Sequence, residues 1–201
     1  MTAQPPPDGP IVLMPAAAAR VSDVVAAIPG DRWGAPSPCT RWNVLDVLNH
    51  LVSEHLWAPH LLRGRTLAEV GDRYDGDVLG ADPVAAWTAA IAASLLAWAD
   101  ADAAGTAEDV GERGVHTSMG RIPLREYAHQ MLVDLTVHGW DLATGAGVAY
   151  EPHPDAVREC LEYEQPRVEA SGVAGIFRPP VPTDAADPFH RLLALLGREP
   201  G

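Results

Sequence analysis

Cysteine is nearly absent from the chain: Cys39 and Cys160 are the two thiols in 201 residues, far apart and in no Cys-x-x-Cys pattern. That excludes a disulfide-stapled scaffold and suits a reducing compartment, so a cytoplasmic protein is expected. Basic residues are scarce as well. Fourteen stand against 27 acidic ones, for a net charge of −13. A surface of that sign repels phosphate backbones and anionic headgroups, so neither nucleic acid nor a membrane is an expected partner. No window looks like the roughly twenty apolar residues that cross a bilayer. The nearest, residues 85–104, is alanine-rich and ends in acids. The N-terminus lacks the basic start and apolar core of a signal peptide. A phosphate-binding glycine loop and a Gly-x-Ser-x-Gly elbow are both missing, which removes nucleotide chemistry of that kind and serine hydrolysis. Strand signal is thin: "VHTSMGRIPL" (115–124) reads as a small hairpin turning at Gly120 or an extended crossing.

Helical periodicity fills the rest. Hydrophobic residues make up 47% of the chain, and its length suffices to bury a core without staples. The pattern predicts a first helix from Pro15 to Ile28, closed by Pro29-Gly30. Asn43, with Asp46 three residues on, reads as a capping box that opens a second helix. That helix has apolar residues at 44, 47, 48, 51, 52 and 56, a bend at Pro59 and a stop at Gly64. Asp82-Pro83, cap then first-turn proline, starts a third that runs to about Ala101. A fourth begins near Pro123 and ends at Thr144-Gly145. A more polar helix over 154–172, broken at Pro166, a proline-rich arm and a short helix capped by Asp187-Pro188 follow. The expected fold is all-α: a disordered tail over 1–14, a four-helix bundle over 15–150, and an extension over 151–201 packed on the bundle.

The fourth helix carries "MLVDLTVHGWD" (131–141), which puts charge where packing is expected. At 100° per residue, Tyr127, Met131, Asp134, His138 and Asp141 share one narrow stripe. A buried carboxylate without a partner costs several kcal/mol, so something must compensate it. An Asp–His hydrogen bond does so in part; a divalent cation does so better. The third ligand is expected from the second helix, where His50 shares the inward stripe of Val47, Leu51 and Glu54. His50, Asp134 and His138 are thus a two-histidine, one-carboxylate set with a free position for water or substrate. Glu54 is a candidate for outer-shell support, and His55 an expected partly exposed helix residue. His129 falls on the far side of its helix; His116, in the hairpin, is a minor candidate for the pocket lip. The tryptophans at 42, 57, 87, 98 and 140 are expected to fill core or interface.

Two segments, "PSPCTRWNVLDVLNHLVSEHLW" (36–57) and "YAHQMLVDLTVHGWDLATGAG" (127–147), resemble the mycothiol-dependent maleylpyruvate isomerase N-terminal family, a branch of the DinB-like metal-binding bundles. The tail "RPPVPTDAADPFHRLLALLGREPG" (178–201) resembles an actinobacterial subgroup of it. The resemblance implies a DinB-like four-helix bundle with zinc or another divalent metal on His50, Asp134 and His138. The isomerase itself has glutamate where this chain has Asp134, and a second domain longer than residues 151–201. The implied activity is a metal-dependent thiol transferase or isomerase, with mycothiol as cosubstrate and a small electrophile as substrate. Catalysis would run through the metal on His50, Asp134 and His138, and Arg41, Arg125 and Asp141 are candidate substrate-binding groups. Asp141 is equally a candidate to orient His138 or a bound water or to cap the helix end, and the alternative for the two arginines is solvated surface charge. A non-catalytic metal-binding bundle and a metal-assisted hydrolase stay open as alternatives. Bundles of this kind also pair, so a homodimer is among the expected assemblies.

Overall fold

Four long helices dominate the computed structural model, which describes residues 9–104, 113–172 and 177–200. They are α1 (Pro10–Ala27), α2 (Val44–Leu62), α4 (Pro83–Ala103) and α5 (Leu124–Ala146), with a single turn, α3 (Leu67–Val70), after α2. Each long helix packs on two others: α2 on α4 and α5, and α1 on α5 and α4. The result is a closed four-helix bundle with one core, the all-α architecture that the periodicity predicts. A two-stranded antiparallel hairpin, β1 (Gly114–Thr117) and β2 (Gly120–Pro123), enters α5, pairing Val115 with Ile122. The extension adds α6 (Pro154–Glu164) and α7 (Pro188–Leu195), which pack on each other. α6 also lies against α5 and α1. The first eight residues of the expected tail lie outside the described residues.

The capping signals place the helix starts. The Asn43 side chain accepts from the Asp46 amide at 2.9 Å, and Asp46 accepts from the Asn43 amide at 3.0 Å. Asp82 and Asp187 each cap a helix whose first turn carries proline. α1 departs from expectation: it starts at Pro10, inside the expected tail, and Pro15 sits within it. Leu13 and Met14 are buried at 3% and 0% exposure. Burying two such side chains is worth about 1.5–3 kcal/mol each. That offsets the roughly 3 kcal/mol cost of an internal proline. By length and composition α1 and α4 could also cross a bilayer, each with a mean hydropathy of 1.4, contrary to the reading from sequence. Here they turn Met14, Val21, Trp87 and Trp98 into the bundle core.

Candidate metal centre

α2 and α5 lie side by side; the capping box at Asn43 fixes where α2 starts, and burial of Val47, Leu48 and Leu51 turns the stripe that carries His50 inward. His50 Nε2 stands 3.3 Å from Asp134 Oδ2, and His138 Nε2 stands 3.8 Å from Asp134 Oδ1. The ligand atoms of all three lie within 4.8 Å of one another. Donors about 2.0–2.1 Å from a tetrahedral zinc ion are about 3.4 Å apart, so this set fits a cation with small adjustments. Among the described residues no further Asp, Glu, Cys or His joins the group. The His50 and Asp134 side chains are 26% and 28% exposed, so small molecules can reach the trio from one side.

Behind the trio the site closes. His138 Nδ1 donates to Asp141 Oδ2 at 2.9 Å, and Asp141 is fully buried. An ionised carboxylate only accepts, so the Nδ1 proton is held there and the Nε2 lone pair faces Asp134 and His50. Burial alone would push the Asp141 carboxyl up. The hydrogen bond from His138 and the charge of Arg198 outweigh burial and hold it below the usual carboxylate range. Burial likewise opposes ionisation of the pair in front. The Asp134–His50 contact prevails, lowering Asp134 and raising His50. Glu54, one turn beyond His50, is pushed up by burial and by the charge of Asp134, so it lies within electrostatic reach of the centre.

A second cluster, Cys39 with His138 and Asp141, also lies within 4.8 Å. Its carboxylate is already held by His138 and Arg198, and burial pushes the Cys39 thiol up, away from the thiolate a metal needs. The His50 trio is the better cation site.

Several residues fall elsewhere than expected. Asp141 is fully buried under His138 and bonded to it, in place to orient the ring. Arg125 is exposed on the first turns of α5. Nine residues before Asp134, it is half a turn round the helix and about 13 Å along it, so it does not reach the trio. Arg41 is exposed beside the site entrance and has a positive φ of 77°. His55 is fully buried, not half exposed: its Nδ1 lies 2.9 Å from Ser94 Oγ on α4. His116 lies on β1 within electrostatic reach of Glu69, away from the trio. His129, as expected, faces away, pairing with Glu159 at 2.9 Å.

Three participants escape a reading of the sequence. Trp42 is 36% exposed. Its ring centroid lies 5.0 Å from that of His50 and 6.0 Å from that of His138, so it walls the centre rather than filling core. The turn that places it is closed by a bond from the Trp42 amide to the Cys39 carbonyl at 3.0 Å. Cys39 comes with the same turn; adjacency to the helix bearing His50 is the one signal that pointed to either. Arg198, which reaches Asp141 from the last residues of the chain, has no local signal at all.

Fold and site together define the class: a DinB-like helical bundle with a candidate metal centre between two of its long helices. The chain belongs to the mycothiol maleylpyruvate isomerase N-terminal domain family, whose model matches residues 14–143. It is similar to uncharacterised proteins of two Mycobacterium tuberculosis strains, CDC 1551 / Oshkosh and ATCC 25618 / H37Rv. Each is 26% identical over 196 residues, covering 89% of this chain and 94% of the relative. No solved structure matches significantly.

Proposed function

We propose that the protein is a zinc-dependent thiol transferase or isomerase of the cytoplasm that uses mycothiol on a small electrophilic substrate. The reading is carried by one observation: His50, Asp134 and His138, from two helices, bring their donor atoms within 4.8 Å of one another where solvent reaches them. Membership of a mycothiol-associated, metal-binding family supports the choice of thiol and ion. A divalent cation held there would supply Lewis acidity and favour the thiolate form of an incoming thiol.

The chain's own groups supply the rest. Asp134 lies between two imidazoles and contributes the negative charge of the donor set. Asp141 keeps His138 in the tautomer that presents Nε2. Trp42 offers an aromatic wall for an unsaturated, planar electrophile. Glu54, one turn beyond His50 and pushed up by burial and the charge of Asp134, is the carboxyl outside the donor set available for proton transfer. Arg41, exposed next to Trp42, is the cation available to a carboxylate on thiol or substrate.

The test is metal analysis of the untagged protein, followed by assays of mycothiol transfer to monobromobimane or chlorodinitrobenzene. Stoichiometric metal and thiol-dependent turnover, abolished by chelation and restored by zinc, are expected. A protein with no bound metal overturns the reading. Metal without turnover indicates a scaffold, and turnover that ignores the thiol indicates hydrolysis.

A further inference from the structure

The chain's last residues reach the metal centre from behind. α7 is anchored by Leu192 and Leu193, and Leu196 just beyond its end is anchored with them, all within 1% of complete burial. Gly197 then turns the chain at φ 74°, a conformation that favours glycine, and its carbonyl accepts from Arg178 Nη2 at 2.6 Å. A Cβ at Gly197 would also stand 2.9 Å from the Arg178 carbonyl oxygen. The turn delivers Arg198 into the protein, where it is 6% exposed. Its amide donates to the Leu193 carbonyl at 2.8 Å and its Nη1 to the Leu196 carbonyl at 3.0 Å. With those bonds made, the rest of the guanidinium points at Asp141: Nη2 is 2.8 Å from Oδ2 and Nε is 3.5 Å from Oδ1.

We infer that Arg198 is a positioning residue for the metal centre: clamped on Asp141 by the docked C-terminal tail, it sets the direction in which His138 presents Nε2. The inference rests on the metal reading above. Its physical basis is the planarity of both groups. A guanidinium fork that faces both oxygens of a carboxylate fixes the carboxylate plane as well as its place. Asp141 then has one orientation in which Oδ2 can also accept from His138 Nδ1, and that bond fixes the imidazole ring. A methionine at 198 would fill the space without the fork, leaving a buried carboxylate free to swing and taking His138 with it. Lysine would restore the charge but, as a point donor, not the plane. The extension thereby contributes to the centre without touching it, although its chain position is 57 residues from Asp141.

The experiment uses the full chain with zinc as the probe. Zinc affinity is measured by competition with a chromophoric chelator for the wild type, Arg198→Met and Arg198→Lys. The His138 ring protons and nitrogens are followed by NMR in the metal-free proteins. Arg198→Met is expected to bind zinc about 10–100-fold more weakly, the range for lost support behind a ligand, and to lose the protected Nδ1 proton of His138. Arg198→Lys is expected to recover thermal stability toward wild type while zinc affinity stays reduced, a split that a merely structural arginine would not produce. If Arg198→Met fails to fold, the lysine variant carries the test through that split and the NMR signal. Wild-type zinc affinity and an intact Nδ1 signal in either folded variant overturn the inference and leave the metal reading standing. A wild type that binds no zinc overturns the metal reading instead.

Discussion

Replacing Asp134 by asparagine removes the charge of the donor set and one of its oxygens while keeping the side chain's size. The substitution leaves the core intact, since the Asp134 side chain is 28% exposed. A four-donor structural zinc site is worth about 10–16 kcal/mol, or roughly 3 kcal/mol per donor. Losing one donor should weaken binding by about a hundredfold. Zinc at a hundred times the wild-type Kd stabilises the wild type by about 2.7 kcal/mol. For a chain of this length that raises Tm by about 5–11 °C. The variant, then at its own Kd, gains about 0.4 kcal/mol, a shift of about 1–2 °C. Thermal scans by circular dichroism in zinc-buffered and zinc-free solution measure both. A second readout comes from the metal-free state. Contact with Asp134 overcomes burial and holds His50 above the usual imidazole value, so the variant's His50 should titrate lower by NMR. A full wild-type zinc shift in Asp134→Asn would show that the carboxylate is not a ligand.

Further expectations concern the groups around the centre. Burial drives His55 from 6.5 down to about 4. Its stabilising effect is therefore complete above 6.5 and disappears as pH falls from 6.5 toward 4, a difference of about 3 kcal/mol. His55→Gln, which stays neutral beside Ser94, should flatten that slope in urea unfolding curves taken across the interval. Glu164 has the opposite sign: burial raises it to about 7, so its contribution is full below 4.5 and is lost as pH rises from 4.5 to 7. Glu164→Gln should therefore gain roughly 1–2 kcal/mol at pH 8, after allowance for solvent screening, and nothing near pH 4. Because the two intervals overlap with opposite slopes, each effect is read against its own variant. A Cβ at Gly145 would lie 2.7 Å from Val44 Cγ2 and 3.0 Å from the Pro36 carbonyl. Gly145→Ala should lower stability by about 1–3 kcal/mol in thermal scans; an unchanged Tm would mean that the turn carrying Trp42 yields freely.

Most of the bundle was legible because helices are written locally. Apolar spacing marked α2, α4 and α5, and Asn43, Asp82 and Asp187 marked starts that the structure reproduces. The convergence of His50, Asp134 and His138 was legible for a related reason. Asp134 and His138 stack one turn apart on any helix, and His50 shares a stripe with Val47 and Leu51, so a bundle that buries those stripes brings the three together. Where local signals competed, the reading slipped. Pro15 looked like a helix start because the burial of Leu13 and Met14, which carries the helix back to Pro10, depends on what α1 packs against. His55 looked half exposed because its partners, Ser94 and Trp87, lie on another helix.

Helix phase and length, the caps, and which side chains share a face follow from short stretches of this chain, because backbone hydrogen bonds and side-chain periodicity act over three or four residues. Which faces meet, and what stands behind them, was decided by packing. The left-handed turn at Arg41 hangs Trp42 over the two imidazoles, and the tail returns Arg198 to Asp141. Neither contact has a local code, because each arises where segments far apart in the chain meet in the same buried space.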